Sequence, residues 1–155
     1  MSDDTSTFAP VSFLDEDLSS VDTAMPVMKG NQPVEMEIIG VTEEPTKDQL
    51  GTNLVIKMKT VGEVISTKNE RLKPGLHHTK RIGLTPAIGR VGKSDYDETA
   101  IRRELARFLE SVEGTKSKLR PLERFAGLRA FTKTSVVPGN DQYPNESNMV
   151  AFIKK

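Results

Sequence analysis

The stretch Arg124–Lys155, RFAGLRAFTKTSVVPGNDQYPNESNMVAFIKK, decides the fold. From Phe125 to Val137 the residue types alternate. Leu128, Ala130, Thr132, Thr134 and Val136 fall on one side, and Arg129, Phe131, Lys133 and Ser135 on the other. Successive side chains of a strand leave on opposite faces, so the segment reads as a strand with one mild, apolar face. The other face sets two cations around an aromatic. Pro138–Ser147 then holds Pro, Gly, Asn and Asp too densely for a strand and predicts a turn-rich excursion. Met149–Ile153 is apolar again and predicts a closing strand, paired with the first as a long-looped hairpin.

Upstream of this hairpin the period changes. Ile101, Leu105, Phe108, Leu109 and Val112 recur at helical spacing, which predicts an amphipathic helix from Asp95 to about Glu113. Asp95 followed by Glu98 reads as its capping box, and Gly114 as its stop. Arg102, Arg103 and Arg107 fall off the apolar stripe and read as its solvated back. A basic loop, Lys116–Arg124, leads into the strand pair.

Before the helix lie three more strand patterns. Pro33–Val41 sets Val34, Met36 and Ile38 against Glu35 and Glu37; Glu43–Gly51 is a polar turn. Asn53–Val61 sets Leu54, Ile56 and Met58 against Lys57 and Lys59, which face out beside Val55. Leu76–Leu84 points Ile82 and Leu84 inward, with His77, Thr79 and Arg81 opposite; the basic loop Thr67–Gly75 precedes it. Three strands, one helix and two strands cannot make a doubly wound parallel sheet, whose two faces need more helices. The order predicts a mainly β protein: a five-stranded OB-like barrel with one helix between strands 3 and 4. Closing such a sheet removes its unpaired edges.

A division of charge separates the two ends of the chain. Residues 1–50 hold eleven acidic and two basic residues, a net of −9, and residues 51–155 carry +9, so the formal net charge is 0. With Pro10, Pro26 and Gly30 as breakers, residues 1–32 are expected to form a disordered acidic arm before a domain at 33–155. Within the arm, Phe13–Leu18 puts three apolar side chains around three carboxylates and reads as a docking peptide, or as one helical turn lying on the domain. The chain has no cysteine, which removes disulfides and thiolate chemistry and fits a reducing cytoplasm. No apolar run approaches bilayer length, so no membrane partner is expected.

Catalytic motifs find little support. Ala87–Ser94, AIGRVGKS, matches a relaxed phosphate-binding loop ending in Lys93. A P-loop enzyme needs a parallel sheet and a second strand ending in a metal-binding Asp, and neither pattern is present. Asp95, Asp97 and Glu98 fit a helix N-terminus better than acid–base work. His77 and His78 are adjacent on a strand and cannot share a metal. Neither an enzymatic activity nor a cofactor is expected.

A binding role is better supported. Single-strand binders combine a positive groove with aromatic platforms for bases. Lys57, Lys59, His77, Arg81, Arg129, Phe131 and Lys133 supply both from outward strand positions, and Phe125 or Phe152 is a further platform or a core residue. Few aromatics, and Glu35 and Glu37 on the same face, weigh against it.

Taken in order, several segments resemble an OB-fold family of bacteriophage single-stranded DNA-binding proteins encoded with replication and recombination genes. The similarity runs from Phe13-Leu14-Asp15 through Val34–Gly40 and Gly51–Ile56 to the helix Ile101–Val112. It continues in Phe125–Leu128 and Tyr143–Asn148. The resemblance implies the fold, a polyanion ligand and the cytoplasm of an infected bacterium. The ends of this chain depart from the acidic C-terminal tail of many single-strand binders: it finishes Ile153-Lys154-Lys155. A phage or host replication or recombination protein would therefore be met through the acidic arm, at Phe13–Leu18. The expectation is a non-sequence-specific single-stranded DNA-binding protein; the alternative is an interaction module or virion component whose basic face docks an acidic protein surface.

Overall fold

In a computed structural model, residues 13–20, 26–86, 96–142 and 144–155 are described. The phosphate-loop match, Ala87–Ser94, and the expected cap Asp95 lie outside them. Among the described residues seven strands and one α-helix follow in order: β1 Pro33–Pro45, β2 Thr52–Thr60, β3 Val64–Ile65, β4 Arg71–Leu72, β5 His77–Gly83, α1 Glu98–Glu113, β6 Arg129–Val137 and β7 Ser147–Phe152. Five of the strands make one antiparallel sheet in the order β5-β2-β1-β6-β7, and β3 and β4 form a separate small hairpin.

The long β1 organises the sheet. Its first half pairs with β6 (Pro33 opposite Lys133, Glu37 opposite Arg129), and its second half pairs only with β2. The register with β2 shifts between Ile38 and Gly40, an extra residue that bends the strand. The bulge resets the alternation, so Ile38 and Val41 are both buried while Ile39 is exposed. β1 continues to Pro45, through residues expected in the polar turn, because Glu43–Pro45 pair with Thr52–Leu54.

The expected barrel is not closed. β5 and β7 are the two edges of the sheet, with no pairing between them among the described residues. The helix supplies the cover instead. α1 packs against β5, β6 and β7, and Phe108 lies fully buried with its ring 5.0 Å from those of both Phe125 and Phe152. Burying three aromatic rings there removes more apolar surface from water than one further strand pairing would. Leu109, Val112 and Ile101 complete the buried stripe. The helix is capped by Asp97, whose carboxylate accepts from Ala100 N–H at 2.9 Å, so it starts after Asp97 rather than Asp95. At the other end Gly114 takes the left-handed conformation (φ 79°), as its role as a stop requires.

Two further boundaries differ from the sequence reading. β6 begins at Arg129, because Leu122–Phe125 form a 3-10 turn and Gly127 turns the chain at φ 86°. Gly127 N–H donates to Ile38 C=O and Leu128 C=O accepts from Ile38 N–H, so the turn is tied to the bulge in β1. Arg120 clamps the same region, donating twice to one Glu113 carboxylate oxygen (3.0 and 3.2 Å) while lying 5.6 Å from the Phe125 ring centroid.

The second difference is the arm. Residues 26–32 are bound to the domain rather than disordered: Met28 is buried, its N–H donates to Asn148 Oδ1 (2.7 Å), and its C=O accepts from Asn148 Nδ2 (2.9 Å). Gln32 imitates a strand neighbour for Ile65, accepting from its N–H at 2.9 Å and donating to its C=O at 3.1 Å. These contacts hold the β3–β4 hairpin, which occupies part of the expected basic loop. Phe13–Asp15 form a 3-10 turn, and Leu14 and Leu18 are 96% and 58% exposed.

Candidate nucleic-acid interface

Antiparallel pairing places residues opposite each other on the same face. The outer face, turned away from α1, can therefore be laid out in rows. One row reads His77, Lys59, Glu37, Arg129, and the next reads Thr79, Lys57, Gly40. A third reads Arg81, Val55, Thr42. On the other side of the first row, Glu35 stands opposite Phe131, and beyond it Pro33, Lys133 and Ala151 are in line. Register thus brings all seven expected residues, Lys57, Lys59, His77, Arg81, Arg129, Phe131 and Lys133, to one face.

They do not form one patch. Glu37 stands between Lys59 and Arg129, and the Glu35 carboxylate lies 3.5 Å from the Arg129 guanidinium. A strip of carboxylate on β1 divides the face into a basic area on β2 and β5 and a smaller one on β6. Strands are spaced about 4.8 Å apart, so Lys59 and Arg129 stand roughly 10 Å from each other across Glu37. Lys57, His77, Arg81, Arg129 and Lys133 are exposed, and Lys59 and Phe131 are half-buried. Phe131 is the aromatic of the face. Val55 lies in the outer row but is buried, between Thr42 and Arg81.

Phe125 and Phe152 are not platforms. Both belong to the aromatic core around Phe108. Phe125 sits in the 3-10 turn before β6, where strand alternation does not apply, and Phe152 falls on the inner parity of β7, opposite Thr132. The buried Thr132 and Thr134 are satisfied, donating to Val34 C=O at 2.7 Å and Lys29 C=O at 2.6 Å.

The two histidines occupy opposite faces. His77 is opposite Lys59 and exposed, whereas His78 is opposite Met58 on the inner side. Burial, and then the Lys80 ammonium, hold the His78 imidazole below the ordinary histidine pKa. At the other end of β5, Tyr96 donates its hydroxyl to Gly83 C=O at 2.6 Å, joining the residue before the helix cap to the end of the strand. Burial and the Glu104 carboxylate raise that hydroxyl's pKa. Among the described residues no group of three or more His, Asp or Glu could hold a metal ion, and no helix is long and apolar enough to cross a membrane.

No protein-family model matches the chain, and no curated protein matches it.

Missing from the sequence reading were the partners that shape the face from a distance. Asn148 enters the sequence reading only as the end of the Tyr143–Asn148 resemblance, yet its amide fixes Met28. The exposed Ile39 at the bulge carries no sequence signal that separates it from the core isoleucine beside it.

Proposed function

We propose that the chain binds single-stranded nucleic acid, as a non-sequence-specific single-stranded DNA-binding protein, across the outer face of the sheet. The observation carrying this reading is the convergence of Lys57, Lys59, His77, Arg81, Arg129, Lys133 and the half-open Phe131 on one face, from three separate strands. Cations track phosphates and an aromatic supplies a stacking surface for a base. The strand order supports an open relative of the OB barrel, since the long bulged β1 pairs with both halves of the sheet and α1 lies under its two edges. A role in phage replication or recombination follows from the resemblance, and so does a cytoplasmic site of action. The exposed Leu14 and Leu18 among Asp15, Glu16 and Asp17 fit an arm that docks a replication or recombination protein.

One observation favours a second reading. Glu35 and Glu37 interrupt a continuous phosphate track, whereas separate carboxylates of a protein surface can meet the two basic areas on either side without crossing them. A salt series with fluorescent oligonucleotides separates the two. Single-strand binding should weaken steeply with salt, by about 0.7 in log–log slope per phosphate contact. Absence of binding at low salt removes the first reading and leaves the protein-docking module.

A further inference from the structure

The two edges of the sheet are built differently. β5 carries His77, His78, Lys80 and Arg81, and its last carbonyl, at Gly83, is taken by Tyr96. β7, Ser147–Phe152, contains no charge, no proline and no bulge across its six residues. Sheets normally blunt an edge with one of those devices, because an unpaired row of N–H and C=O groups is a template for another strand.

Register shows which groups are free. Ile153 N–H donates to Phe131 C=O at 3.0 Å, and these two residues continue the β6–β7 pairing. In an antiparallel ladder the hydrogen-bonded pairs alternate, so Met149, Ala151 and Ile153 direct their backbone groups at β6. Asn148, Val150 and Phe152 direct theirs outward, and among the described residues these groups have no backbone partner. The side chains of Val150 and Phe152 are buried, so only their backbone is offered. The exposed side chains of the strand are Ser147, Met149, 55% exposed, and Ala151.

We propose that this edge pairs with the same edge of a second copy, antiparallel, about a two-fold axis through Val150. The edge is complementary to itself in that register. Val150 meets Val150 and Asn148 meets Phe152, which matches all three outward-facing residues with partners of the same hydrogen-bonding parity. Met149 meets Ala151, covering the exposed methionine. Glu146, just before the strand, meets Lys154, just after it; both are exposed, and the pair occurs twice by symmetry. Centring the axis on Met149 or Ala151 leaves Glu146 with no ammonium opposite. Complementarity of charge and hydrogen-bond parity in one register is what selects a second copy over a foreign strand. The product is a ten-stranded sheet with both outer faces on the same side and the two β6 strands about 14 Å apart, three strand spacings. The pairing stands on the edge alone and does not depend on nucleic-acid binding.

Sedimentation of the full chain across about 1 to 500 µM should show a reversible dimer of micromolar affinity, as suits a small interface. Glu146→Lys and Lys154→Glu should each weaken it by roughly three- to thirtyfold, and the two together should restore it. That restoration excludes misfolding as the cause of the single losses. The absence of native cysteine allows a register test. A mixture of Met149→Cys and Ala151→Cys chains should cross-link on oxidation faster than either alone, because these positions face each other across a close, non-hydrogen-bonded pair. A chain monomeric throughout that range overturns the proposal. So does a dimer indifferent to both reversals, or a mixture that cross-links no faster than its components.

Discussion

The Glu35 carboxylate lies 3.5 Å from the Arg129 guanidinium, on the outer face and directly beside Phe131. Both side chains are partly open to water, so the pair contributes little to stability. Its consequence is electrostatic: it spends one cation of the proposed face on an internal partner. Glu35→Gln keeps the shape and removes the charge. Single-strand affinity at low salt should rise by about two- to tenfold, and the salt slope should steepen by up to about 0.7 as Arg129 becomes free for phosphate. Urea denaturation should move by no more than about 0.5 kcal/mol. An unchanged titration would place the ligand path away from β1 and β6.

Stacking and charge on β6 can be separated. Phe131→Ala should cost about 1 to 3 kcal/mol of binding, since a base loses its aromatic surface, with the salt slope nearly unchanged. Lys133→Ala should instead lower the slope by less than about one unit. Because Phe131 is half-buried, its truncation should cost less stability than the roughly 3–5 kcal/mol of a fully buried phenylalanine. Oligonucleotide anisotropy read alongside chemical denaturation checks both. Native stability with undiminished affinity in the Phe131 variant would remove the proposed face.

His78 makes stability depend on pH. Its folded pKa is lowered below 6.5, chiefly by burial and then by the Lys80 charge. The folded state therefore disfavours the imidazolium. The associated stability is fully present above pH 6.5 and is lost as pH falls from there through the lowered folded pKa. Carboxylates titrate too, so the comparison is with His78→Asn. The difference in urea midpoint between pH 7.5 and pH 5.5, values chosen about one unit either side of the ordinary histidine pKa, should be smaller in the variant. An equal difference in both chains would show that His78 titrates normally.

Asn148 holds the entry segment in place through two hydrogen bonds to Met28. Asn148→Ala should destabilise the fold by about 1 to 3 kcal/mol, because partly buried backbone groups of Met28 lose their partners. Hydrogen exchange should accelerate at Lys29 and Thr67, whose N–H groups donate to Ile65 and Val27 across the same junction. Exchange unchanged at those two amides would mean that Gln32 alone suffices to anchor the segment.

The alternation of β6, the stripe of α1 and the stop at Gly114 were legible in the sequence, because each depends on neighbours a few residues apart. A period of two or of 3.6 sorts side chains without any knowledge of what lies opposite. Phe125 misled as a strand residue for the converse reason: the 3-10 turn and the positive φ of Gly127 are answered by hydrogen bonds exchanged with Ile38, nearly ninety positions away. The same holds for residues 26–32, whose composition is that of an arm but whose backbone is claimed by Ile65, Thr134 and Asn148.

The candidate face divides along this line. Which residues of each strand point outward followed from local alternation, and all seven reached a common face. Only tertiary structure decided that Glu37 stands between Lys59 and Arg129 and that Glu35 takes up Arg129, because register between distant strands is a non-local property. Closure was decided there too. Strand order alone is compatible with a barrel, but three aromatic rings from α1, the 3-10 turn and β7 meet in the core and leave β5 and β7 as separate edges. Packing of side chains from separate segments, which no local period encodes, determines whether the sheet ends are joined by hydrogen bonds or covered by a helix.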